Sequence, residues 1–185
     1  MRSEQMLSAE GCVLLVVDVQ EAFAGAIHEI ERVVERSRVM IEAAKLLGLP
    51  IVATEQYPKG LGRTVEVLQG AMGEEQRYFE KLTFSCCGEE AVREAIVGTG
   101  RREVLLVGIE AHVCVAQTAL DLQAMGLRPF VAVDAVSSRR QSDAEVALER
   151  LARAGVALTT TEAAIMEMTV WSKHEAFKGI SRLIR

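Results

Sequence analysis

The chain has 185 residues, half of them hydrophobic and a quarter charged, with a formal net charge of -5. That length holds one domain with a sizeable core, residues 1–185, and the charge gives no electrostatic reason to expect a nucleic-acid or membrane partner. No apolar run approaches the ~18 residues that span a bilayer, and the polar segment 1–10 lacks the apolar core of a secretion signal, so a cytoplasmic protein is expected.

Residues 12–17 read as a first strand, apolar throughout and so buried on both faces. Residues 27–47 space their apolar side chains as a helix does; Gly48 ends it, with Pro50 two residues beyond. A second strand occupies 51–54, followed by a loop over 56–62 containing Gly and Pro, and a short third strand falls within 77–83. A helix over 89–97 is closed by Gly98 and Gly100. Strand four is 104–107, and its helix, 115–125, stops at Gly126. Residues 130–133 form strand five, 142–154 a helix capped by Ser142, and 156–159 strand six. Thr161 caps a short helix, and Ser172 starts the terminal one. Strand and helix alternating this regularly imply an α/β protein: a parallel sheet with right-handed crossovers and helices on both faces.

Ligands bind such sheets beyond the carboxyl ends of the strands. Asp18 follows strand one, Lys81 stands near the end of strand three, and Cys114 sits where strand four turns into its helix. A helix N-terminus there is expected to lower the thiol's pKa. A carboxylate can take a thiol's proton and a lysine can stabilise the charged pair, so together the three make a self-consistent nucleophilic site. Each alone has an ordinary role, as a turn cap, a surface charge or a buried thiol; their joint placement carries the reading. Cys12, Cys86 and Cys87 read as reduced, buried thiols, with a redox contact from Cys86 or Cys87 to Cys114 as the alternative. Segment 18–25 lacks the G-x-G-x-x-G loop of a dinucleotide-binding protein.

The stretch Leu15-Val16-Val17-Asp18-Val19-Gln20 with Phe23, then Lys81, then Gly108-Ile109-Glu110-Ala111-His112-Val113-Cys114-Val115, resembles the isochorismatase-like cysteine hydrolases. The likeness runs in order through about residues 10–165. It is closest to the uncharacterised isochorismatase domain-containing subgroup, through Glu55-Gln56-Tyr57-Pro58-Lys59-Gly60-Leu61-Gly62 and Asp134-Ala135-Val136-Ser137-Ser138-Arg139. The resemblance implies a three-layer αβα fold with a six-stranded parallel sheet in the Rossmann-like order 3-2-1-4-5-6. It makes Asp18 the general base, Lys81 its electrostatic partner and Cys114 the nucleophile. It also implies a cis Ile109–Glu110 peptide and an oxyanion hole from the amides of Glu110 and Cys114.

Members of this superfamily that bind a metal carry paired histidines after the second strand, where this chain has Thr54-Glu55-Gln56-Tyr57-Pro58. His28, His112 and His174 have no ligand spacing, and His112 reads as a loop or packing residue, so no metal or other cofactor is expected. Vinyl-ether hydrolysis of the isochorismatase type needs no thiol, so Cys114 points instead to a C–N bond of amide, ureido or carbamoyl type in a small-molecule substrate. The expected pocket residues are Gln20, Phe23, Gln56 and Tyr57, with Leu61 beside them. A non-catalytic interaction module on the same fold is the competing reading. The family is typically oligomeric, so a homo-oligomer is expected, with Trp171 and residues 180–185 apolar enough for an interface.

Overall fold

The computed structural model describes residues 2–185. Six strands pair in parallel, in the order β3-β2-β1-β4-β5-β6. They are β1 (Cys12–Val17), β2 (Ile51–Gln56), β3 (Tyr78–Lys81), β4 (Glu103–Ile109), β5 (Arg128–Ser137) and β6 (Ala157–Thr159). Every residue of β1 and β4, the two central strands, is buried. Alternate side chains therefore serve two cores. Leu14, Val16, Leu105 and Val107 pack with α1 (Ile30–Leu46), α3 (Glu66–Met72), α7 (Thr161–Thr169) and α8 (Phe177–Leu183) on one face. Val13, Leu15, Val17, Val104 and Leu106 pack with α4 (Glu90–Val97), α5 (Ala116–Ala124) and α6 (Gln141–Arg153) on the other. Continuous apolar strands are what a doubly covered sheet requires. Among the described residues no helix is long and apolar enough to cross a membrane.

Several element ends differ from the sequence reading, each for a local reason. The first helix begins at Ile30, because Glu29 before it takes a left-handed φ of 51°. The 56–62 segment contains a single helical turn, α2 (Pro58–Leu61), which starts on a proline. Helix α3 was not foreseen; its buried Leu68 and Met72, four residues apart, are the signal that the glycines around them obscured. Ser142 lies inside α6 rather than at its cap, which is Arg140. Thr160, not Thr161, caps α7 by accepting from Ala163 N–H, while Thr161 N–H and its hydroxyl both donate to Asp134. The terminal helix begins at Phe177. Its Ile180 is buried in the core with Leu183 and Ile184 packed beside it, so that part of the proposed interface segment covers its own subunit.

The strand order reverses direction between β1 and β4, which opens a crevice at their carboxyl ends. There Gly108 pairs with Val17 and takes φ 114°. A Cβ on Gly108 would lie 2.1 Å from the Val17 carbonyl oxygen, so β4 can pass β1 only with glycine here. Gly48, at φ 68°, has nothing within 4 Å of a Cβ position. Gly108→Ala is therefore expected to lose at least about 3 kcal/mol of stability, and Gly48→Ala about 1–2 kcal/mol. Urea unfolding of both variants checks this; equal losses would contradict the close-approach argument.

Candidate active site

Asp18 is the first residue beyond β1 and is almost fully buried. Its N–H extends the ladder to the Thr54 carbonyl at 3.2 Å, and its left-handed φ of 51° turns the chain out of the sheet. The side chain faces two neighbours. Thr54 donates its hydroxyl to Oδ1 at 2.7 Å. Oδ2 forms an ion pair with the Lys81 ammonium at 2.8 Å and has no other side-chain partner in hydrogen-bond contact.

Lys81 closes β3 with no exposed side-chain surface. Its Nζ lies 2.6 Å from Gln56 Oε1, 3.1 Å from the Thr83 carbonyl, 3.0 Å from the Phe84 carbonyl and 3.4 Å from Cys114 Sγ. A buried ammonium is tolerated only when paired and hydrogen-bonded, and the turn after β3 supplies the carbonyls that do this. Burial works to lower the lysine's pKa, but Asp18, with Cys86 and Cys114 in support, outweighs it and holds the ammonium above its usual value.

Cys114 is 7% exposed. It stands inside a wide turn, Ala111–Val115, in which Val115 N–H reaches back five residues to the Glu110 carbonyl at 3.2 Å; α5 begins only at Ala116. The helix-terminus effect expected from the sequence is accordingly overridden. Burial, then the negative charge of Asp18, pushes the thiol up to about 12, against the opposing pull of Lys81. Burial also raises the Asp18 carboxyl above its ordinary value, opposed by Lys81 and by the hydrogen bonds it receives. The 2.8 Å pairing of Asp18 with the Lys81 ammonium makes the resting arrangement a thiol beside a carboxylate and an ammonium. Moving the thiol proton to Asp18 removes the charge that disfavours the thiolate and leaves Lys81 to stabilise it, with no net change in buried charge.

The Ile109–Glu110 peptide preceding this turn is cis. Glu110 N–H takes no backbone acceptor among the described residues, while its carbonyl accepts from Val113 and Val115. The Glu110 carboxylate is buried, 3.3 Å from Arg139 Nε. His112 meets Ser138 through its N–H and Nδ1, a contact between loops.

The four expected pocket residues separate. Gln20 is fully buried, its Nε2 donates to the Gln56 and Gly62 carbonyls, and its Oε1 accepts from Gln56 N–H. It braces the segment after β2. Gln56 is likewise occupied, its Oε1 on Lys81 and its Nε2 on the Leu82 carbonyl. Phe23 packs on the cluster of Ile27, Ile30, Val33 and Ile109. Tyr57, half exposed, lines a cavity of about 340 Å³ with Pro58, Lys59, Glu80, Lys81, Leu82 and Glu89. Leu61, half-buried, ends α2. A larger concavity of about 550 Å³, between Arg2, Gly11, Arg101 and Arg128, lies at the opposite, amino-terminal edge of the sheet.

Two contributors were given no role at the site in the sequence reading. Thr54 touches Asp18 because β2 neighbours β1, a fact of strand order rather than of spacing. Glu55, buried, clamps the returning loop through Thr64 N–H, the Thr64 hydroxyl and Arg63. Cys12, Cys86, Cys87 and Cys114 are all free thiols. Among the described residues no group of three or more His, Cys, Asp or Glu could hold a metal ion.

Comparison with known proteins bears on the family and the fold. The isochorismatase domain model matches residues 12–163. Isochorismatase domain-containing protein 2 of Danio rerio is 41% identical over 179 residues, spanning 96% of this chain and 89% of that protein. The solved structure of the MAR1 ribonuclease from Caenorhabditis elegans is 41% identical, with a TM-score of 0.92 over 97% of this chain and 92% of that one. The YcaC gene product of Escherichia coli, described as an octameric hydrolase of unknown specificity, shares the fold at 22% identity, with a TM-score of 0.92 over 100% of this chain and 91% of that one. By fold, by strand order and by sequence, the chain belongs to the isochorismatase family.

Proposed function

We propose that the protein is a cysteine hydrolase that cleaves a C–N bond of amide, ureido or carbamoyl type in a small molecule. One observation carries this reading: a single buried ammonium, Lys81 Nζ, lies 2.8 Å from Asp18 Oδ2 and 3.4 Å from Cys114 Sγ. Asp18 takes the Cys114 proton, and the thiolate attacks the substrate carbonyl carbon. The tetrahedral oxyanion is received by the backbone amides of Glu110 and Cys114, and each such donor contributes about 2.7–4 kcal/mol to lowering the barrier. Asp18 returns the proton to the leaving nitrogen, the C–N bond breaks, and a thioester on Cys114 remains. Asp18 then deprotonates a water that attacks the thioester, and the proton goes back to the departing Cys114 sulfur. The steps as written use this chain's own side chains and call for no cofactor.

The name of the Caenorhabditis elegans relative raises RNA as a second substrate class. A phosphodiester backbone is held by basic side chains. This chain carries a net charge of -5, and Cys114 is 7% exposed, which favours a small molecule. We further propose a homo-oligomer, with the exposed Val170 and Trp171 beside Met166 as the self-association surface.

Three outcomes test these readings. Incubated with a mixed library of amides, ureides and carbamoyl compounds, the protein is expected to gain one acyl mass on Cys114, and Asp18→Asn to lose at least about 100-fold in turnover. No adduct and no turnover would sink the hydrolase reading, and RNA cleavage abolished by Asp18→Asn would replace its substrate. Lys81→Met leaves a buried carboxylate without its cation and is expected to lose about 3–5 kcal/mol at pH 8. The Asp18 carboxyl in that variant is raised further above its unfolded value of about 3.9, so the folded state gains stability by holding the proton. The loss is therefore smallest below that value and grows as pH rises through the folded pKa; equal losses by urea unfolding at pH 4.5 and pH 8 would contradict the pairing. Sedimentation of wild type and Trp171→Glu reads the oligomer, with dissociation of the variant expected.

A further inference from the structure

We propose that Cys86 is a positioning residue: its thiol donates to the Thr54 hydroxyl, which donates to Asp18 Oδ1, and this chain of donors directs the proton of Cys114 onto Oδ2. The inference rests on Asp18 as base and Cys114 as nucleophile.

The direction of the chain follows from an inventory of protons. Thr54 Oγ1 lies 2.7 Å from Asp18 Oδ1 and 3.8 Å from Cys86 Sγ. A hydroxyl has one proton, and the Asp18 carboxylate, paired with the Lys81 ammonium at 2.8 Å, has none to give, so the Thr54 proton lies on the Asp18 side. Only the lone pairs of Oγ1 then face Cys86, and the sulfur must be the donor. Thr54 and Cys86 are at most 1% exposed, so water does not compete for either group. The Cys86 backbone is itself fixed, its N–H donating to the Thr118 hydroxyl on α5 at 2.9 Å. Burial and the nearby Asp18 push the Cys86 thiol up to about 12, so it keeps its proton wherever the site operates.

The consequence falls on Asp18. The titratable groups that face it are Lys81, Cys114 and Cys86. Oδ1 is filled by Thr54, and Oδ2 faces the Lys81 ammonium at 2.8 Å with no other donor on it. The relay therefore stabilises the ionised base and leaves one defined oxygen to receive a proton. Donation from sulfur also polarises the Thr54 hydroxyl and strengthens its bond to the carboxylate. Cys86 acts through Thr54 and touches no reacting atom.

The test needs no substrate. The rate at which iodoacetamide labels Cys114 is followed from pH 5 to pH 9 by peptide mass spectrometry. Its acidic limb reports the first proton lost by the Asp18–Cys114 pair. Thr54→Val removes the donor to a charged group and is expected to move that limb up by about one pH unit. Cys86→Ala moves it the same way by less, and Cys86→Ser, which keeps a donor, restores the wild-type limb. Cys86→Val, close to cysteine in volume, reads the same loss should the alanine variant fail to fold. A limb unmoved in both apolar variants, or one that Cys86→Ser shifts as far as Cys86→Ala, overturns the relay and leaves Cys86 a packing residue. The infrared S–H stretch of Cys86 gives a static check: it is expected to rise in frequency in Thr54→Val, and an unchanged band counts against donation. If wild-type Cys114 labels no faster than Cys12 and Cys87, the hydrolase reading itself has failed, a result distinct from either.

Discussion

A lysine ammonium taken fully out of water must be answered on all sides, and in this molecule that demand organises the carboxyl edge of the sheet. Lys81 Nζ draws a carboxylate from β1, an amide oxygen from β2, two carbonyls from the turn after β3, and a thiol from the turn after β4. Four consecutive positions in the sheet order are tied to one atom. An isolated buried charge is among the costliest features a protein can carry, so partial assembly of this cluster gains little. Complete assembly leaves two ionisable groups, Asp18 and Cys114, sharing one proton beside a fixed positive charge.

That sharing explains a contrast within the site. Burial and the negative charge of Asp18 make Cys114 a poor nucleophile, with its thiol pushed up to about 12. The same burial raises the proton affinity of Asp18. The two effects become complementary in the proposed transfer of the proton between them, because the ammonium faces both partners. Environment decides the roles here as it does for other coupled pairs, whose titration belongs to the pair rather than to either member.

The strands and most helices were legible because burial on both faces writes continuous apolar runs, and amphipathic helices write their own period. Asp18, Lys81 and Cys114 stood out by lying at strand ends. Contacts across strands were another matter. Periodicity says that β1 and β2 exist and the resemblance made them neighbours, but neither says which side chains meet, so Thr54 was read as a strand end and not as a donor to Asp18. Gln20 and Gln56 were assigned to the pocket because polar residues near a site resemble ligands of the substrate. Both are instead occupied by protein groups. The wide turn holding Cys114 has no sequence signature distinct from a helix start, and the electrostatic benefit expected there did not survive the burial that came with it.

The bracing of the segment after β2 has a consequence for how such a site can diversify. Gln20 and Gln56 fix its beginning and Gly62, while Glu55 holds Arg63 and Thr64. Residues 58–61 hang between two anchored posts as a short helical turn, and none of their side chains supports Lys81. The side chains of this turn can therefore change without removing any partner of the Lys81 ammonium, to which the rim stays joined through the backbone, where Tyr57 N–H bonds the Lys81 carbonyl at 3.0 Å. Substitution within 58–61 can redraw the rim of the cavity while every partner of the Lys81 ammonium keeps its place.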